Sequence, residues 1–295
     1  MEQIEQLQDN SGFPNYAIHR LFLKTSCAYN DLPCDVKFSY ELDDEARSNF
    51  ENIKSLLDIN SLRGSNEIDT FINATNWVAR ILSSSLEPTI NRGFNSFQII
   101  TDVLENKFGA NCYAHAVVLC DLFSILGYKS RFVFCLPIDY HYTDNHVVTI
   151  VYYEQEKRWL LFDAAQNMYF ADANNRILDV RELRNAVIND DFINVNFLDV
   201  HWKDIDNRNR EIVKRQIMIY MAKNLYRFAC FSNSHTDRIA KERIVNHYNL
   251  VPVNYITTPF SNAFYIKERK VKFLDTYVSN PSAFWALPVE DSYVA

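Results

Sequence analysis

Glycine is scarce: the chain has five in 295 residues. No stretch is therefore glycine-rich, and no loop of the kind that cradles phosphates through its backbone is present. No run of about 18 apolar residues occurs either, so nothing in the sequence is suited to cross a bilayer as a helix. Positive charge is not in excess. The 30 Lys and Arg stand against 37 Asp and Glu, a formal net charge of −7, which gives no electrostatic reason to expect nucleic acid or an anionic membrane as a partner. The opening Met1-Glu2-Gln3-Ile4-Glu5 lacks the basic and apolar regions of a secretory signal, so the expectation is a soluble, cytoplasmic protein. There is no internal repeat, no low-complexity segment and no obvious linker.

Six cysteines are present: Cys27, Cys34, Cys112, Cys120, Cys135 and Cys230. Without export a disulfide framework is not expected, and Cys27 and Cys34 are too widely spaced for a redox pair. Cys120 falls within an apolar helical run and Cys135 within a strand-like one, positions of plain core residues. Only Cys112 has polar company at the end of an element.

What the chain does have is apolar and aromatic content, 48% and 14%, in the range of a folded globular protein. Helical spacing is read over 43–57, 67–84 and 95–107, with an ambiguous apolar run at 16–23 and strand-like alternation at 36–42. A buried helix then begins at Cys112 and stops at Gly127. Strand-like runs follow at 130–138, 146–153 and 158–165. A turn is expected at 169–175, a short helix at 178–186 and a longer one at 207–228. Strand runs at 251–256, 263–267 and 271–278 close the chain. Helices before a cysteine helix, then a meander of strands, predict an α+β fold. Three regions are expected: an N-terminal extension (1–66), a catalytic core (67–188), and a C-terminal helix and strand-rich elaboration packed on the core (189–295).

The spacing within 109–163 has a geometric consequence. Tyr153 and Arg158 flank Glu154-Gln155-Glu156-Lys157, a polar stretch suited to a hairpin loop. With a four-residue loop His146 faces Ala165 and lies diagonal to Asp163; with a two-residue loop it faces Asp163 directly. A three-residue loop would send the two side chains to opposite faces. A cysteine at a helix N-terminus lies in a positive field that favours the thiolate. A nearby imidazole can take its proton, and a carboxylate can orient that imidazole. Cys112, His146 and Asp163 thus fit a nucleophilic triad, with His146 as base and Asp163 as orienting acid.

These residues also resemble a known family. Cys112 opens a helix ending Leu126-Gly127. Then come Lys129-Ser130-Arg131-Phe132-Val133, Asn145-His146-Val147-Val148, and Trp159 leading to Asp163. This order is similar to that of the transglutaminase-like superfamily, over about residues 68–185. Asn111 and Val147 stand where that family often has glycine and an aromatic residue. The resemblance implies a papain-like core in which the cysteine helix packs on an antiparallel sheet. It also implies a covalent acyl-enzyme on Cys112, formed from an amide or thioester and passed to an amine or to water.

Acyl transfer generates a tetrahedral oxyanion. The backbone N–H of Cys112 is one expected donor to it, and Asn111, Asn95 and Gln98 are the side-chain candidates. His115, one turn along the helix, and Tyr140, His141 and Tyr142, in the polar loop before His146, are candidates for a substrate rim. Cys112, His115, His141 and His146 match no familiar zinc spacing, so no metal is expected. With no calcium-loop pattern, no calcium requirement is expected, and no cofactor. The expected partner is an acyl substrate, a peptide, a small molecule or a protein. The contrasting reading is a catalytically inactive scaffold that binds through the same fold.

Overall fold

Asp43, Asn66, Asn95 and Asn111 each stand just before a helical run, and each side chain accepts from a backbone N–H of the first turn. The computed structural model describes residues 16–25, 28–82, 95–105, 109–138, 145–198, 207–255, 263–266 and 270–288. The capped helices are α2 (Asp44–Leu56), α3 (Glu67–Ile81), α4 (Ser96–Leu104) and α5 (Cys112–Ile125), preceded by α1 (Tyr16–Thr25), which resolves the ambiguous apolar run as a helix.

Helix α5 is apolar all round, and every residue from Ala114 to Phe123 is buried. Such a helix must be enclosed by its neighbours. It lies against α3 and α4 on one side and a β-sheet on the other. Its end is fixed by Gly127 at φ 99°, a conformation that favours glycine. There the Gly127 N–H donates to Ser124 O and the Tyr128 N–H to Phe123 O, the paired bonds that close a helix C-terminus.

The sheet begins with β1 (Ser130–Leu136), β2 (His146–Tyr153) and β3 (Arg158–Phe162). Thr149 Oγ1 donates to Ala116 O at 2.9 Å, pinning β2 to α5 near its N-terminal turn. Next come β4 (Met168–Ala171), α6 (Val180–Asn189), β5 (Asn194–Phe197) and α7 (Asn207–Asn224). The chain closes with β6 (Arg227–Phe231), β7 (Ile244–Leu250), β8 (Ala263–Ile266), β9 (Val271–Val278) and the short α8 (Pro281–Phe284). The large sheet has seven strands in the order β3-β2-β1-β6-β7-β9-β8, and β4 pairs with β5 separately. The fold is α+β, as expected. Strands β1 to β3, against which α5 packs, are antiparallel as expected, and the C-terminal strands make the whole sheet mixed, because β7 and β9 run parallel. Strands β6 to β9 extend the same sheet from the free edge of β1.

Several local expectations are corrected by tertiary pairing. The long helix stops at Asn224 rather than 228, because residues 227–231 pair with β1 and β7. The strand expected at 251–256 is displaced to 244–250. Pro252 has no N–H to give a ladder, and residues 251–255 form none. Residues 169–171, expected in a turn, form strand with β5. The 36–42 alternation forms no strand. Val36, Phe38 and Tyr40 instead pack one face of an irregular segment against the core.

Side chains of the sheet alternate between two cores. Phe132, Val147, Val151 and Phe162 face α5, whereas Val133, Cys135, Val148 and Leu161 face the side covered by α6 and α7. Arg131 crosses into the second core. Its guanidinium lies 4.0 Å from the Phe38 ring centroid and 4.4 Å from that of Trp159, and donates to Phe284 O and Ala286 O. This one side chain binds the end of the described chain to the central strand. Among the described residues, no helix is long and apolar enough to cross a membrane.

Candidate active site

Cys112 is the first residue of α5, and Asn111 caps the helix by accepting from the Ala114 N–H at 3.0 Å. The cap occupies Ala114 and leaves the Cys112 N–H at the helix mouth, where the backbone dipoles favour negative charge. Cys112 Sγ lies 4.0 Å from Asn145 O, so the thiol sits where the chain enters β2.

The β2–β3 hairpin meets the geometric condition set by its loop. Tyr153 pairs with Arg158 across residues 154–157, and Thr149 pairs with Phe162. Lys157 takes the left-handed conformation, φ 49°, that closes this four-residue turn. Continuing the register puts His146 diagonal to Asp163 on one face. His146 Nε2 is 2.6 Å from Asp163 Oδ2. The other carboxylate oxygen accepts from the Gln166 N–H at 3.1 Å, and Asp163 and Met168 exchange two backbone bonds of 2.9 Å. Asp163 is thus locked by a second tight turn and has 0% exposure; His146 has 2%.

Since Asp163 occupies Nε2, the imidazole has Nδ1 left, and the Cys112 side chain stands near enough to raise its pKa. Burial disfavours a charged His146, but Asp163, by charge and hydrogen bond, outweighs it with help from Cys112. The imidazole pKa is carried up from 6.5 to about 10.

Tyr220 of α7 completes the enclosure, and no feature of the sequence pointed to it. Its ring meets His146 edge-on, centroids 5.4 Å apart at 69°, and its hydroxyl donates to Asn145 O at 2.9 Å. The apolar pattern of α7 marks Ile217 and Met221 as inward-facing; that Tyr220 would reach β2 depends on where the helix docks.

The oxyanion and rim candidates fare differently. Asn111 and Asn95 use their side-chain oxygens as caps, and Gln98 donates its amide to Asp102 at 2.7 Å along its own helix. Among the described residues none of the three side chains is hydrogen-bonded to Cys112 or His146. His115 is no rim residue. It is 1% exposed, with Nδ1 2.8 Å from Asn111 O and Nε2 2.9 Å from Leu82 O. Burial lowers its pKa, so it supports the first turn of α5 from within the core. Tyr140, His141 and Tyr142 lie outside the described residues, as does Cys27.

Of the remaining cysteines, Cys120, Cys135 and Cys230 are buried, and burial pushes their thiols up, that of Cys230 to about 12. Cys112 and Cys34 are partly exposed.

Among the described residues two other histidine–carboxylate pairs occur. His247 Nδ1 is 2.7 Å from Asp275 Oδ1, with no cysteine or serine hydrogen-bonded to the ring. His235 Nδ1 is 2.8 Å from Asp121 Oδ1, and its Nε2 is 2.9 Å from Ser124 Oγ, a Ser–His–Asp order by contact. That second group sits at the C-terminal end of α5, where backbone carbonyls rather than N–H groups are free, so it has no helix-end donors for an oxyanion. Asp121 is also held by Arg238, Ser96 and Asn49. The arrangement is a buried brace joining α2, α4, α5 and the 233–238 turn. Among the described residues no group of three or more His, Cys, Asp or Glu side chains could hold a metal ion.

Residues 62–164, which include Cys112, His146 and Asp163, match the transglutaminase-like superfamily. This part of the chain is a transglutaminase-like domain, and at the family level the match supports a cysteine-based enzyme. No curated protein matches the sequence. A solved structure described as "a Putative Cysteine Protease from Cytophaga hutchinsonii" aligns at 14% identity and a TM-score of 0.32, over 55% of this chain and 55% of that one.

Proposed function

We propose that the protein is a cysteine acyltransferase or amide hydrolase that works through a covalent acyl-enzyme on Cys112. The observation that carries this reading is the 2.6 Å His146–Asp163 bond, made by an imidazole that also engages a thiol at a helix N-terminus.

In the proposed reaction the Cys112 proton passes to His146 Nδ1 while Asp163 holds Nε2–H. The thiolate attacks the carbonyl carbon of an amide or thioester, forming a C–S bond and moving the carbonyl π electrons onto oxygen. The Cys112 backbone N–H, at the mouth of α5, faces the developing oxyanion. Collapse re-forms the carbonyl and breaks the bond to the amine or thiol leaving group, which takes the proton from His146. An amine or water then gives its proton to His146 and attacks the thioester, and the second collapse expels Cys112 thiolate. The reading extends to a peptide or small-molecule acyl donor in a cytoplasmic setting.

The test is to trap the intermediate. Incubation with a simple aryl thioester, acid quench and peptide mass analysis should add one acyl group to the Cys112 peptide. The adduct should be absent in Cys112→Ala and should decay faster when a primary amine is supplied, if the acceptor is an amine. Acylation spread evenly over exposed nucleophiles, unchanged in Cys112→Ala, would overturn the reading.

A further inference from the structure

One backbone oxygen is shared by the C-terminal third of the chain and the thiol. Asn145 O accepts from the Tyr220 hydroxyl at 2.9 Å and lies 4.0 Å from Cys112 Sγ. The same tyrosine packs its ring edge-on against His146. We infer that Tyr220 is a positioning residue that sets the Cys112–His146 pair and favours its ion-pair form, an inference that rests on the catalytic reading above.

Two physical effects support it. The bond to Asn145 O fixes the peptide just before His146, and the ring fixes the imidazole itself, so two contacts from a rigid helix restrain one base. The second effect is electrostatic. A neutral thiol can donate to Asn145 O, but a thiolate faces the negative end of that carbonyl. The Tyr220 O–H puts a positive hydrogen on the same oxygen and weakens the repulsion, so the hydroxyl stabilises the thiolate relative to the thiol.

Other charged and titratable groups around the pair come from several elements. Asp163 holds His146 from the second hairpin turn. His115 on α5 feels the charges of Asp163 and His146, and Cys135 on β1 feels those of Asp163 and Cys112; both are buried in the core. Lys223 stands one turn along α7, with Nζ 4.6 Å from the centroid of the Tyr220 ring. That cation draws on the ring's electron density and helps hold the ring in place.

The experiment compares wild type, Tyr220→Phe, Tyr220→Leu and His146→Ala by the pH dependence of Cys112 alkylation, at a temperature where each is folded by circular dichroism. Tyr220→Phe keeps the ring and loses the hydroxyl. It should move the alkylation midpoint upward by about half to one pH unit, the size of one ordinary hydrogen bond. Tyr220→Leu loses both contacts and should move it further. A Tyr220→Phe profile that overlays wild type, while His146→Ala loses low-pH reactivity, would overturn the role of Tyr220 and leave the catalytic reading standing. A His146→Ala profile that overlays wild type would sink that reading, and the Tyr220 inference with it.

Discussion

His146, the first residue of β2, and Asp163, just past the end of β3, are 17 residues apart and meet at 2.6 Å because a four-residue turn puts them diagonally on one face. That contact decides the ionisation of the imidazole. With a pKa raised from 6.5 to about 10, His146 is charged in the folded protein where the unfolded chain has lost the proton. Its pairing therefore stabilises the fold fully below about 6.5, and the contribution fades as pH rises from there through about 10. In Asp163→Asn the largest raising influence is gone while burial still opposes charge. An NMR titration of the imidazole should then show the proton lost at markedly lower pH. Acylation of Cys112 should fall by roughly 10²–10⁴-fold. An unmoved titration would show that Asp163 does not set the base.

The cysteines should separate by environment. In the native protein Cys112 and Cys34 are reachable by an alkylating reagent, whereas Cys120, Cys135 and Cys230 are sealed in the core and their thiols are pushed up by burial. Timed labelling should modify Cys112 first and the three buried residues only after denaturation. Early labelling of Cys135, which pairs with His146 across β1 and β2, would mean that this end of the sheet opens readily.

Asn111 offers a way to separate two roles. As the cap of α5 its side chain accepts from the Ala114 N–H. Asn111→Ala should cost about 1 kcal/mol in denaturant unfolding, and Asn111→Ser should recover most of it. If the asparagine amide also served the oxyanion, Asn111→Ser would be stable yet slower by roughly 10²–10³-fold. The cap geometry predicts a stable variant that keeps most of its acylation rate.

The brace around Asp121 should matter to folding. Burial pushes this carboxyl up, but Arg238 and His235 outweigh it and hold it below 3.8. The pairing thus contributes above about 3.8 and is lost as pH falls through the depressed value. Removing one partner strands a buried charge, so Arg238→Met should lower unfolding free energy by roughly 3–5 kcal/mol. A change within experimental scatter would mean that Asp121 is relieved by its other partners.

Much of this site was legible because its determinants are local. Cys112 follows a cap and opens an apolar run; Gly127 ends it with the one backbone conformation glycine favours; strand parity and loop length bring His146 to Asp163. What escaped depends on long-range pairing. Residues 227 and 228 continue the helical run read for α7, yet β1 offers them a ladder, and the pairing overrides the local pattern. Tyr220 follows from the docking of α7 over β2, which no spacing within the helix encodes. His115 looked like a neighbour of the thiol by helix periodicity. Periodicity does not report that Leu82 O would be waiting for its second nitrogen.

The central claim is that Cys112 and His146 form a thiolate–imidazolium pair. Its most direct test is iodoacetamide labelling from pH 5 to 9, with peptide mapping of all six cysteines, in wild type and His146→Ala. The account predicts that Cys112 is alkylated selectively well below pH 8 and that His146→Ala abolishes this. If Cys112 reacts no faster than Cys34 or Cys230, or is indifferent to His146, the domain is a binding scaffold and not a cysteine enzyme.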